Sequence, residues 1–248
     1  MSEPRSIGTV EQLWRYPVKS MRGESLSEVY VTYTGVVGDR VHAFVNPEKR
    51  DNFPWHTARE QARLLLYKPR FRDPPTIDQH YPDAEAFGVD VEDPSGKIWR
   101  IEDPAFLAHL EQEAGGALKL RFSEKGMQDA RPLSIFGAAT LAALTSESGV
   151  ELDHRRFRPN LFVKWTDETP FYEDQLVGKT LTIGDKLQIN VVKKDPRCVI
   201  ISLDPSDATF KPEVLRTVAK KHAGCAGVYA AVLREGVIKA GDAIYLAN

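Results

Sequence analysis

One of only two cysteines in the 248 residues, Cys198, stands in the stretch VVKKDPRCVIISLDPS, directly after Arg197 and three residues after Asp195. If the charges of Lys193, Lys194 and Arg197 face that thiol, they favour its thiolate, the form that attacks electrophiles and binds soft metals. A plainer reading stands beside it. Free cysteine is among the most buried residue types, and strand alternation would send Arg197 and Cys198 to opposite faces. The local residues leave both readings open.

Two further groups could bind an anion. In RRFRPNLFV, Arg156 and Arg158 lie two apart. With Pro159 holding Arg158 extended, both guanidiniums share a face and can grip a phosphate or carboxylate with forked donors. Asn160 can satisfy loop amides, and a solvated basic loop explains part of the same pattern. In YPVKSMRGESL and GVVGDR, Lys19, Ser20 and Arg40 follow a Tyr-Pro bend and a glycine-punctuated turn, which lets backbone approach a ligand closely. Such trios also occur on ordinary surfaces. His42, His56, His109, His154 and His222 have no ligand-cluster spacing, and there is no G-x-S-x-G elbow, P-loop or G-x-G-x-x-G.

The elements that must position these residues read mainly as short strands with turn signals between them. SLSEVYVTYTG alternates at period 2, and VDVEDPSGKIWRI reads as a hairpin turning at Pro-Ser-Gly. KTLTIGDKLQINVVKK splits at Gly184-Asp185, CVIISLD reads as a buried strand, and the C-terminal run breaks at Glu235-Gly236 and Gly241-Asp242. Three helices are expected: AFLAHLEQEAGG, a segment after Ser134 ending at Gly149 with Ser134 as N-cap, and KPEVLRTVAKKHAG. Such spacing favours a barrel or sandwich over a parallel α/β sheet.

A net charge of -2 predicts no whole-protein attraction to nucleic acid or anionic lipid. No run approaches the roughly 18 apolar residues of a membrane span, and two distant cysteines make neither a disulfide framework nor a zinc site. A soluble, cytoplasmic protein in a reducing compartment is expected, with no membrane anchor.

Taken in order, LWRYPVKSMRGESL, GVVGDRVHAFVNP with WHTARE, RFRPNLFV, DPRCVIISLDP and GVYAAVLREGVIKAGDAIYL resemble the MOSC family. The layout is similar to its two-part members. The resemblance implies a mainly β fold with a few helices (α+β), a MOSC-type β-barrel preceded by a β-rich region. Residues 1–122 would form the first part and 123–248 the MOSC domain, packed as one unit. It implies the molybdenum cofactor (molybdopterin), a pterin dithiolene with a terminal phosphate. Cys198 would ligate the metal or carry persulfide sulfur, with Asp195, Arg197 or Asp204 assisting as acid or orienter. Lys19, Ser20, Asp39, Arg40, Ser134, Arg156, Arg158 and Asn160 would hold the cofactor, Ser134 through its hydroxyl and a helix N-terminus. The implied activity is reduction of N-hydroxylated or N-oxide small molecules. Electrons would come from a separate ferredoxin or flavoprotein, because the cysteine count leaves no room for an iron–sulfur domain. The alternative is a sulfur carrier or cofactor-delivery protein. Cys225 matches no family position and reads as a small core residue.

Overall fold

The computed structural model describes residues 5–49 and 53–247. Seven strands close into a barrel in the order Leu161–Trp165, Leu133–Gly137, Cys225–Arg234, Leu187–Pro196, Thr180–Ile183, Ala243–Leu246 and Ser6–Arg15. Ser6–Arg15 completes the ring by pairing back onto Leu161–Trp165, antiparallel, with Val10 opposite Val163 and Leu13 opposite Leu161. Closure removes the open edges that a seven-stranded sheet would otherwise present to other chains.

Alternation explains which side chains fill the barrel. Leu187, Ile189 and Val191 are buried, while Gln188 and Asn190 between them are only half-buried. Val163, Leu181, Val228 and Ala230 supply the facing positions of the same apolar interior. Three small three-stranded sheets surround the barrel, one of them containing the expected hairpin, Val89–Glu92 with Ile98–Arg100. A second apolar cluster, built around Phe44, Tyr67 and Phe106, fills the first half of the chain.

Among the described residues there are three α-helices: α1 (Pro104–Ala114), α2 (Ala138–Ser148) and α3 (Pro212–Lys221). Asp103 caps α1 by accepting from the Ala105 amide, and Gly115 ends it in the left-handed conformation. The expected role of Ser134 as the cap of α2 is corrected. Ser134 lies inside the strand Leu133–Gly137, and the helix starts only after Gly137. Its hydroxyl and amide are taken by Asn160, so they are not free to cap a helix.

The expected strand after Cys198 is also corrected, since Val199–Ser202 forms a single 3₁₀ turn. The preceding strand ends at Pro196, which has no N–H to continue a ladder. Ile201 then packs with Val214 and Val218 of α3 and with Phe157. A four-residue apolar run can be buried by a turn as well as by a strand.

Candidate functional site

A cavity with about 740 Å³ of empty space is lined by side chains from seven separate segments. Lys19, Ser20, Arg40, Ser134, Arg156, Arg158, Asn160, Asp195, Arg197 and Cys198 all border it. Of the remaining sequence candidates, Asp39 is buried and Asp204 is half-buried in an ion pair with Arg156, and neither borders the cavity.

Asp39 acts on the cavity through its neighbour. Its carboxylate accepts from the Tyr16 amide at 2.9 Å and from Arg40 Nη1 at 2.5 Å. Burial opposes the Arg40 charge, but Asp39 and Tyr16 outweigh it and hold the guanidinium above its usual pKa. Arg40 Nη2 then donates to the Arg158 carbonyl at 3.1 Å, tying two distant segments together.

Lys19 is buried and donates through Nζ to the Met127 carbonyl at 2.7 Å and to Asp129 at 2.5 Å. Burial pulls its pKa down, against the pull of Asp129. Ser20 follows in the left-handed region.

The arginine pair is not extended. His154–Phe157 is a 3₁₀ turn capped by Asp153, and Arg158 ends it with φ +51°. A residue before proline ordinarily avoids helical conformations. Here the Arg158 amide donates back to the Arg155 carbonyl at 3.2 Å, and Asn160 locks the far side of the turn to Ser134. Arg156 and Arg158 therefore reach one cavity by a turn rather than by a shared strand face. Ser134 and Asn160, bonded mostly to each other, position that turn.

The pairing of these arginines is incomplete. Arg156 Nη2 meets Asp204 at 2.6 Å, yet its Nε and Nη1 are buried with no hydrogen-bond partner. Arg158 Nη1 donates to the Met21 carbonyl at 2.7 Å, and its Nη2 is left over in the same way. Burial, then the nearby Arg40 charge, pushes the Arg158 pKa down to about 10.

Asp195 and Arg197 form an ion pair at 2.8 Å. Arg197 is fixed further by donating to the Ala226 and Phe157 carbonyls. Burial pushes the Asp195 carboxyl up to about 6, with Arg197 and a hydrogen bond from Tyr229 pulling the other way. Cys198, half-buried, sits at the start of the 3₁₀ turn and makes no capping hydrogen bond there. Lys193 and Lys194, expected to flank the thiol, do not line the cavity. Lys194 pairs with Asp174 and Lys193 lies near the Tyr229 ring. The cations sharing a cavity with Cys198 come instead from distant segments, apart from Arg197.

Phe53, Thr57, Arg59, Gln128, Asp129, Arg131 and Tyr229 also line the cavity, and sequence reasoning gave none of them a role. Thr57 and Arg59 lie within the quoted WHTARE. Tyr229 had only its strand alternation to mark it, opposite Ser134 in the barrel. Gln128 and Asp129 carry no local signal at all.

Two family models match this chain, the MOSC N-terminal beta barrel domain over residues 7–128 and the MOSC domain over residues 123–245. The chain belongs to the MOSC family. This MOSC protein is 24% identical over 290 residues to mitochondrial amidoxime reducing component 2 of Bos taurus, covering 97% of this chain and 84% of that protein. It is 25% identical over 294 residues to mitochondrial amidoxime-reducing component 1 of Homo sapiens, covering 98% and 84%. Among solved structures, the YUAD protein from Bacillus subtilis shares the fold, with a TM-score of 0.53 and 13% identity over 99% of this chain and 98% of that one. Among the described residues of this MOSC protein, no helix is long and apolar enough to cross a membrane.

Proposed function

We propose that the cavity binds the molybdenum cofactor, with Cys198 as the protein's thiolate ligand to the metal, and that the protein reduces N-hydroxylated or N-oxide small molecules. One observation carries this reading. The half-buried Cys198 thiol shares its cavity with buried guanidinium donors, Arg156 Nε and Nη1 and Arg158 Nη2, that find no partner in the protein. Unpaired buried donors are costly unless a ligand satisfies them, and a phosphate supplies enough acceptor oxygens for all three.

The donor set fits the cofactor in a second respect. Among the described residues no group of three His, Cys, Asp or Glu could hold a metal ion. A metal at Cys198 would therefore take its other ligands from a cofactor, and a dithiolene matches the softness of the thiolate. Seven cationic side chains line the cavity against two carboxylates, Asp129 and Asp195, as an anionic cofactor requires.

When bound, the cofactor would supply a metal centre able to take up an oxygen atom and exchange two electrons. The protein's own contribution is binding and proton placement. Lys19, Arg40, Arg156 and Arg158 hold the anion, and Ser134 and Asn160 fix the turn that presents the two arginines. Asp195, its carboxyl pushed up to about 6 by burial, takes up and releases a proton a little below neutral pH, and Tyr229 and Arg197 orient it. That proton is available to an oxygen leaving as water. Electrons would come from a separate ferredoxin or flavoprotein. The names of the amidoxime-reducing relatives support the substrate class, and two free cysteines suit a reducing cytoplasmic setting. We further read residues 1–122 and 123–248 as two parts of one unit.

The test is elemental analysis of protein purified from a host that makes the cofactor, with benzamidoxime turnover measured using a reduced dye as electron source. Stoichiometric molybdenum is expected, lost in Cys198→Ser. Metal retained in that variant, or absent from the parent protein, overturns the assignment. A labile adduct of about 32 Da on the Cys198 peptide without turnover would instead establish the sulfur-carrier alternative.

A further inference from the structure

The mouth of the cavity is charged differently from its floor. Arg156, Lys19 and Asp195 are buried, whereas Arg59 and Arg131 line the same cavity from exposed positions. The Arg59 guanidinium lies 4.5 Å from the centre of the Phe53 ring. Asp129, the more exposed of the two lining carboxylates, is taken by Lys19. Arg131 reaches only the neighbouring Ala130 carbonyl at 3.4 Å. Among the described residues neither Arg59 nor Arg131 is in an ion pair.

An exposed arginine with no acidic partner contributes little to folding. Placed at the mouth of a concave site with low-dielectric walls, its field is focused into the opening and selects the charge of what enters. The forked guanidiniums of Arg59, seated on the Phe53 ring, and of Arg131 offer an anionic group their donors. The floor cations are committed to buried geometry, so the rim pair is the part of the cavity open to a diffusing molecule.

We propose that the substrate is an anionic N-oxygenated compound whose carboxylate is held at the cavity rim by Arg59 and Arg131. The assignment rests on the reductase reading for the N–O group and on the rim itself for the carboxylate.

Two measurements on the full-length protein as purified separate these. Turnover of 4-carboxybenzamidoxime is compared with that of benzamidoxime. Binding of the non-reducible 4-carboxybenzamidine and benzamidine is followed by the fluorescence of Trp55, which lies beside Lys19. The carboxylated compounds should be favoured roughly tenfold, in KM rather than kcat, as two exposed ion pairs allow. The preference should vanish or invert in Arg59→Glu/Arg131→Glu, and it should weaken in Arg59→Gln and Arg131→Gln. Equal handling of the two compounds overturns the proposal. So does a preference that survives charge reversal. A double variant altered only in its KM for the electron-donor protein also overturns it, since the rim would then be a docking surface for that partner. Protein without molybdenum would sink the reductase reading, while the fluorescence titration still decides the rim.

Discussion

The Arg158 guanidinium carbon lies 4.2 Å from the centre of the Tyr16 ring, and the Tyr16 hydroxyl donates to the carbonyl of Pro159, the next residue along, at 3.1 Å. Arg40 lies over the same ring at 4.6 Å. One buried tyrosine therefore offers its electron-rich face to two cations and its hydroxyl to the turn that carries one of them. Removing the hydroxyl in Tyr16→Phe leaves the Pro159 carbonyl without that donor, worth about 1–2 kcal/mol. The melting temperature should fall by about 2–6 °C. Tyr16→Leu should fall further, because two guanidiniums then lose their shared ring. Thermal denaturation of the three proteins checks the order.

The unpartnered donors of Arg156 and Arg158 make the cofactor-free protein responsive to simple anions. Inorganic phosphate at ten times its Kd should raise the melting temperature by about 3 °C or more. Arg158→Gly and Arg158→Ala should both lose most of that gain. The glycine variant should melt about 2–4 °C above the alanine variant, because only glycine adopts the left-handed conformation at this position without strain. The reverse order would mean that the turn relaxes out of that conformation.

Asp195 makes a pH signature. Its folded pKa of about 6 lies above the 3.8 of the free side chain. The folded state thus holds the proton more tightly, and this contribution to stability is full below pH 3.8 and fades as pH rises through 6. Asp195→Asn stays neutral throughout. Relative to the variant, the parent protein should lose about 2 kcal/mol between pH 4 and pH 7.5. Urea denaturation across that range measures the difference, and a constant gap between the two would contradict the assignment.

Gly227 holds Arg197 in place by being small. Its φ is +78°, and a Cβ there would meet the Ile135 carbonyl oxygen at 2.7 Å and Arg197 Nη2 at 3.0 Å. Gly227→Ala should cost about 3 kcal/mol or more from strain and overlap together. It should also displace Arg197 from Asp195. Equilibrium unfolding gives the first quantity, and a crystal structure of the variant gives the second.

Much of the site was legible in sequence because its cations and its cysteine fall in short segments with turn residues beside them. Lys19, Arg40, Arg158 and Cys198 each stood out locally, and their order along the chain linked them. Their geometry was less legible. The strand in KLQINVVKK was legible because Leu187, Ile189 and Val191 alternate with polar residues, although the pattern breaks after Val191 and the strand runs on to Pro196. Val199–Ser202 gave only four apolar residues, too few for periodicity to separate turn from strand. Pro159 argued for an extended Arg158, and hydrogen bonds to residues as distant as Arg40 and Ser134 overrode it. Tyr229, Asp129 and Arg59 reach the cavity only through folding, and residues brought together that way leave no mark on their own neighbours in sequence.

Barrel closure has a consequence for the order of events during synthesis. Ser6–Arg15 leaves the ribosome long before its barrel partners, Leu161–Trp165 and Ala243–Leu246. Leu13–Arg15 can pair at once with Glu24–Leu26, but one edge waits for Leu161–Trp165 and the rest of the other for Ala243–Leu246, and contacts so far apart in sequence form slowly. Lys19 and Ser20, a few residues beyond that strand, share a cavity with Arg158 and Cys198 and so can join them only once Cys198 has emerged. The cavity is therefore a late product of folding, and a ligand that needs side chains from segments this far apart can be bound only after they have come together.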